Sequence, residues 1–394
     1  MSRQYEYKQY FTNRAKQKGI FGMRELVAID LPGGPDFVDA LQQVWQDGDA
    51  VLPIDQRLTH DDRTRLANSM RAQWMIQPTG RVRLDNGVVV QPGDALVVAT
   101  SGSTGEPKGA VLTHDAVAAS AEASSHRLSI TPTDHWLACL PLSHVGGLSV
   151  VTRALSAGTG LTVLARFEPE AVTAAALSGA THTSLVTAAL LQIDPSIFRC
   201  VLLGGAATPG SRPANAVATY GLTETGSGVV YDGVPLDGVE VRINDDGEIL
   251  IRCPMMLRGY RDGTTPIDAE GWLHTNDLGS WLPDGQLHVH GRRGDLIITG
   301  GENVWPEQLE RTLAQHPGIR DIGVRGLADV TWGLVVAAWL VPTDSSHPPS
   351  LEELRSYVRD RLPAFMAPRI VFVVESLPRT SLGKLRRNEL PDLR

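Results

Sequence analysis

Two hydrophobic rhythms alternate along roughly the first 235 residues. Phe37, Leu41 and Val44 recur at helical spacing within residues 35–48, which predicts a short helix there. Apolar runs predict strands at 26–31, 94–99, 110–112, 136–140, 161–164, 200–203 and 228–231. Helical patterns lie between them: the alanine-rich segment opened by Thr113 and Asp115, then 147–157, 168–178 and 183–193. Strands alternating with helices imply an α/β sheet covered on both faces.

The rhythm changes further on. Residues 239–243 and 248–252 read as a hairpin around Asn244-Asp245-Asp246-Gly247, and 280–290 as another turning at Pro283-Asp284-Gly285. Beyond Gly291 comes a unit of about a hundred residues, an ordinary size for a small domain. It holds a helix opening at Pro306, a strand at 333–341 and a Pro/Ser-rich linker at 342–350. A second helix follows, entered through a capping box of Ser350 and Glu353, and then a last strand at 369–374. The expected division is an extension at 1–22, a large domain at 23–291 and a small one at 292–394.

Composition narrows the function. The chain has 394 residues, 42% of them hydrophobic, ample for a core in more than one domain. Its formal charge of -8 argues against general nucleic-acid binding. An anionic ligand must then be held by local devices: loop amides, a few cations or a metal. Cys139, Cys200 and Cys253 are far apart and show no metal-binding spacing, which points to a reduced, cytoplasmic setting. No apolar run is long enough for stable membrane insertion. Arg3, Lys8, Arg14, Lys16, Lys18 and Arg24 cluster at the start, without the apolar stretch of a secretory signal.

The strongest chemical signal is the run TSGSTGEPKG, Thr100 to Gly109. Its glycines, Gly102 and Gly105 among them, let backbone N–H groups turn toward one anion. Ser101, Ser103 and Thr104 add hydroxyl donors, and Lys108 adds positive charge. The combination suits a triphosphate. It is not a Walker loop, because Lys108 follows Pro107 and precedes Gly109.

This string resembles the phosphate-binding signature of the adenylate-forming superfamily, which includes acyl-CoA and aryl-CoA ligases. That family's other motifs follow in order. YGLTET (Tyr220 to Thr225) resembles the adenylate motif, in which Glu224 would hold Mg2+, Thr223 would touch the α-phosphate, and Tyr220 with Gly221 would lie by the adenine. GGAA (Gly204 to Ala207) resembles the adenine-side loop, assigning Gly205 and Ala206. HTNDLG (His274 to Gly279) resembles the ribose motif, assigning Asp277; Asn276 stands where the family usually has glycine, and asparagine tolerates the same left-handed backbone. GRRGDLIITGGENVWPEQLE (Gly291 to Glu310) resembles the hinge and thiol-side segment. There Arg292 would bind ribose or phosphate, Gly294 would be the pivot, and Gly301 and Glu302 would meet the incoming thiol. PRTSLGKLRR (Pro378 to Arg387) resembles the motif with the catalytic lysine, Lys384. AVLPIDQRLT (Ala50 to Thr59) is a fainter echo.

The resemblance implies a large domain of layered α/β sheets with a small β-barrel-like part, and a smaller mobile α+β domain. It also implies ATP, Mg2+ and CoA as cofactors and a small carboxylic acid as substrate; a homodimer is compatible with it. On the acyl side, LPLSHVGGLSV (Leu140 to Val150) and the stretch from Tyr220 to Ile243 look like the o-succinylbenzoate–CoA ligase branch of menaquinone biosynthesis. His144 would then stand by the reacting carboxylate. Gly226, Ser227 and Gly228 would floor the acyl pocket, with Ser184 on another wall. A dicarboxylate needs a partner for its second charge. Arg153, His182 and Arg212 flank the pocket-forming segments and are the candidates.

Overall fold

The apolar runs become strands buried on both faces. Leu26–Ile29, Ala50–Pro53 and Asp94–Thr100 lie side by side in parallel in a seven-stranded sheet. Their near-continuous Val, Leu, Ile and Ala content is what such burial requires. The computed structural model describes residues 24–100, 107–205, 212–379 and 385–392. The Asp94–Thr100 strand turns back through an antiparallel partner, Lys108–Thr113, which in turn pairs with the short strand Gly259–Tyr260. Thr113 then caps the helix His114–Arg127, its hydroxyl accepting from the Ala116 N–H at 3.1 Å.

A second seven-stranded sheet holds five parallel strands: His135–Ala138, Gly160–Val163, His182–Leu185, Cys200–Leu203 and Ala216–Gly221. Gly228–Tyr231 and Val234–Pro235 extend it antiparallel. The segment 183–193, read from sequence as a helix, is a strand at its start and one short helical turn, Thr187–Leu190, afterwards. His182–Leu185 sits between two parallel neighbours and is wholly buried, so it shows no alternation to mark it as a strand.

Chain contacts divide the protein into two units. The larger takes most of the chain before Arg242 together with Leu250–His274; the smaller takes Arg242–Ile249 and the chain from Thr275 onward. In the smaller unit, Leu273–Trp281 and Leu287–Arg292 form an antiparallel hairpin. A five-stranded sheet follows, centred on the long pair Ile319–Asp329 and Gly333–Pro342 and covered by the helices Pro306–Leu313 and Leu351–Arg359. The first strand of that pair went unread in the sequence, because Arg320, Gly323, Arg325 and Gly326 interrupt its apolar run. Both capping expectations hold: Pro306 opens its helix, and Ser350 and Glu353 form a reciprocal capping box. Among the described residues no helix is long and apolar enough to cross a membrane.

Candidate active site

Parallel strands place their carboxyl ends on one edge, where open α/β sheets bind ligands. In the larger unit that edge gathers the predicted residues. Ser184 lies at the end of His182–Leu185 and is almost fully buried, Gly205 lies just past Cys200–Leu203, and Tyr220 and Gly221 end Ala216–Gly221. His144 follows His135–Ala138 through a short loop and caps the helix Val145–Ala157. After Gly221 the chain makes a 3-10 turn, Thr223–Thr225, and Gly226 closes it in the left-handed conformation at φ 69°. Gly221 has to be glycine: a Cβ there would lie 2.2 Å from the Ser227 carbonyl oxygen. The tight return sets Glu224 on the rim.

Glu224 is tied to the phosphate-loop hairpin by Tyr260, a residue the motifs do not contain. Tyr260 donates its hydroxyl to Glu224 Oε1 at 2.8 Å, and its strand pairs with Ala110 and Val111. Lys108 Nζ sits 5.0 Å from the Tyr260 ring centre and 4.0 Å from Asp262 Oδ2. Thr100, at the other foot of the hairpin, donates to the Lys108 carbonyl at 3.3 Å. Thr100, Lys108 and Glu224 thus form one cluster. Among the described residues no group of three or more His, Cys, Asp or Glu side chains could cage a metal. A lone carboxylate such as Glu224 fits magnesium that takes its remaining ligands from phosphate and water.

The residues expected on the acyl side border a small, largely apolar cavity. It is lined by Leu112, Val117, Ser120, Leu148, Thr152 and Gly226, among others. Ser227 lies beside it, its hydroxyl 2.8 Å from that of Ser120, and Gly228 begins the next strand. One turn along from Ser120, the Ser124 hydroxyl accepts from Arg153 Nε at 2.8 Å. Arg153 is 1% exposed, lies 4.8 Å over the Trp136 ring, and its Nη1 has no hydrogen-bond partner among the described residues.

The other two charge candidates are committed elsewhere. Arg212 pairs with Asp232 at 2.6 Å. His182 is buried against Asp134; burial above all pulls its pKa down to about 4, with Arg199 and Arg153 adding to the effect, so the ring is neutral.

His144 has partners that its motif did not reveal. Its Nε2 lies 3.0 Å from Arg57 Nη2 and 3.5 Å from Asp55 Oδ2. Arg57 grips Asp55 through two hydrogen bonds of 2.7 and 2.6 Å. Burial works to raise the Asp55 carboxyl, but the hydrogen bonds from Arg57 and His144 outweigh it and hold the group far below its ordinary value. The faint Ala50–Thr59 echo was the available signal for this pair.

In the smaller unit Asp277 and Arg292 face each other across the hairpin, with Arg292 Nε 2.9 Å from Asp277 Oδ1. Asn276 takes the left-handed conformation at φ 57°, the geometry its place in the motif calls for. Gly294 sits in the 3-10 turn Arg293–Asp295; a Cβ there would meet nothing within 4 Å. Gly301 and Glu302 lie at the exposed turn between Ile297–Thr299 and Glu302–Val304. Ser101, Gly102, Ser103, Thr104, Gly105, Ala206 and Lys384 lie outside the described residues.

Nearby in the same unit, Glu310 accepts from the Val324 N–H at 2.7 Å and from Arg387 Nη2 at 2.7 Å. Burial nonetheless pushes its pKa up to about 7, against the pull of Arg387. The folded chain therefore holds this proton more tightly than the unfolded chain. The resulting stability is complete below the ordinary carboxylate range and is lost as pH rises through about 7. Glu310→Gln removes the linkage. Its stability relative to wild type should rise by about 2–3 kcal/mol from pH 5 to pH 8. Urea unfolding at the two pH values reads this directly, and an equal difference at both would refute it.

The chain matches the AMP-binding enzyme family over residues 85–261 and the AMP-binding enzyme C-terminal domain over residues 308–384. It is 41% identical over 324 residues to a probable 2-succinylbenzoate–CoA ligase of Mycobacterium tuberculosis, covering 75% of this chain and 83% of that protein. It is 35% identical over 337 residues to a 2-succinylbenzoate–CoA ligase of Bacillus cytotoxicus, covering 75% and 69%. Among solved structures it is similar to the o-succinylbenzoate CoA synthetase MenE of Bacillus subtilis in complex with the acyl-adenylate intermediate. The TM-score is 0.83 at 28% identity, over 98% of this chain and 91% of that one. The same enzyme has been solved with ATP and magnesium ion, and matches with a TM-score of 0.81.

Proposed function

The chain belongs to the AMP-binding enzyme family, and from that footing we propose that it activates o-succinylbenzoate with ATP and passes the acyl group to CoA. The reaction runs in two halves. A carboxylate oxygen attacks the α-phosphorus, the α–β phosphoanhydride bond breaks, and pyrophosphate leaves. The CoA sulfur then attacks the acyl carbonyl, the mixed-anhydride bond breaks, AMP leaves, and the thiol proton passes to solvent.

The residues act mainly by position and charge. The loop from Thr100 to Lys108 takes the triphosphate, and Thr223 the α-phosphate. Magnesium, when bound, neutralises charge on the phosphate oxygens, and Glu224 is its protein ligand, oriented by Tyr260. Gly205, Ala206, Tyr220 and Gly221 are the residues assigned to the adenine. Asp277, squared up by Arg292, accepts from the ribose hydroxyls. Lys384 supplies a point charge as the α-phosphorus is attacked. His144, braced by Arg57, is the residue assigned to the acyl carboxylate, Gly294 to the pivot, and Gly301 and Glu302 to the thiol. The setting is cytoplasmic.

Arg153 carries the choice of a dicarboxylate. An arginine this buried is costly unless an anion meets it, and no carboxylate among the described residues pairs with it. Its guanidinium reaches Ser124, a turn along from the cavity wall at Ser120. The second carboxylate of o-succinylbenzoate is the ligand that completes it. The test is a carboxylate panel assayed for AMP and thioester with CoA present. o-Succinylbenzoate should lead, and its thioester should require CoA. Faster turnover of benzoates or fatty acids would remove the substrate assignment while leaving the ligase chemistry.

A further inference from the structure

Arg387 follows Lys384 by three residues and is 8% exposed. Its guanidinium meets groups from three elements of the smaller unit. Nε donates to the Val324 carbonyl at 3.0 Å, in the strand Ile319–Asp329. Nη2 donates to Glu310 at 2.7 Å, and Nη1 lies 3.1 Å from Glu307, one turn away on the helix Pro306–Leu313. Nη1 also donates to Asp295 at 3.1 Å, in the 3-10 turn that contains Gly294.

Three carboxylates are more than one buried guanidinium needs for neutrality. Burial lowers the Arg387 pKa, but Glu310, Glu307 and Asp295 outweigh it and the net direction is upward. Burial pushes the Glu310 carboxyl up to about 7 against the pull of Arg387, with Glu307 adding to the rise. Such a cluster adds little stability over an apolar one of the same volume. What it does supply is direction, because a planar fork with several partners has one orientation.

The backbone around Arg387 is fastened as well. The Arg387 and Leu390 carbonyls accept from Arg325 Nη1 at 3.3 and 3.1 Å. Before Lys384, Arg379 grips Asp321 through bonds of 3.1 and 2.5 Å. Arg379 and Leu385 form an antiparallel bridge, and the Arg386 N–H donates to the Pro378 carbonyl at 2.8 Å. The two feet of the segment that carries Lys384 are thus held side by side, and the second is locked to the turn at Gly294.

We propose that Arg387 is a positioning residue for adenylate formation: it fastens the chain foot that follows Lys384 to Asp295 in the turn that contains Gly294. The proposal rests on the reading of Lys384 as the adenylating lysine.

The test compares wild type, Arg387→Met, Arg387→Lys, Asp295→Asn and Lys384→Ala in the full chain. Two rates are read: single-turnover formation of acyl-AMP from ATP and o-succinylbenzoate, and capture by CoA of acyl-adenylate supplied ready-made. Arg387→Met should slow the first 10- to 100-fold and Asp295→Asn about tenfold, with the second changed less than threefold. Arg387→Lys should recover part of the loss. Both rates falling together, or an unchanged first rate in folded Asp295→Asn, would overturn the proposal. Should Arg387→Met fail to fold, Asp295→Asn decides alone, since it keeps the side-chain shape at a partly exposed site. Should Lys384→Ala form adenylate at the wild-type rate, the reading of the lysine fails. A slow Lys384→Ala beside a normal Asp295→Asn sinks only the present proposal.

Discussion

Replacing Arg153 with methionine should raise the KM for o-succinylbenzoate about a hundredfold, which is about 2.7 kcal/mol of lost binding. The magnitude follows from the site. The guanidinium is 1% exposed, with Ser124 on Nε and no hydrogen-bond partner on Nη1 among the described residues. A carboxylate that reaches it there is gripped by charge-assisted hydrogen bonds in a place water does not screen. Two controls separate binding from collapse. 3-Benzoylpropionate, which lacks the ring carboxylate, should be handled alike by wild type and variant. The unliganded variant should also melt no lower than wild type, because an apolar side chain of similar length replaces a buried charge. A variant that loses both substrates equally would show that Arg153 only holds up the helix Val145–Ala157.

The second large effect belongs to Glu224. Glu224→Gln keeps the size of the side chain and an oxygen for the Tyr260 hydroxyl, now at 2.8 Å. Only the charge is lost. Adenylate formation should fall by about a hundredfold or more, and the magnesium concentration for half-maximal rate should rise, since a hard cation held by Glu224 would lose that charge. Tyr260→Phe leaves the charge and removes its orientation, so it should cost about tenfold or less. Stopped-flow pyrophosphate release against magnesium concentration measures both. Equal losses in the two variants would mean that the hydrogen bond, and not the charge, is what matters at this position.

The parts of the site legible in the sequence are those whose chemistry sits in one contiguous string. Tyr220 to Thr225 could be read because the glycine, the hydroxyls and the carboxylate stand together, and the tight return at Gly221 exists to place them. Tyr260 could not be read. It lies 36 residues from Glu224 and reaches it only because its two-residue strand pairs with the phosphate-loop hairpin. Arg57 is the same case at longer range, 87 residues from His144. The choice among Arg153, His182 and Arg212 was equally closed to sequence. It turns on which of the three side chains already has an acidic partner, a property of packing alone.

The fold divides the same way. Helices with an apolar stripe, such as Pro35–Gln46, or with a capping box, such as Leu351–Arg359, were plain. His182–Leu185 was misread because a strand between parallel neighbours buries both faces and loses its period of two. Ile319–Asp329 was missed because Arg320, Gly323, Arg325 and Gly326 interrupt its apolar run.

A chain that forms an acyl-adenylate from o-succinylbenzoate must also exchange labelled pyrophosphate into ATP, a reaction that needs neither CoA nor a finished product. Exchange should be negligible with enzyme, ATP and magnesium alone and should start when o-succinylbenzoate is added. No exchange above background with that acid, in protein shown to bind ATP, would contradict the account.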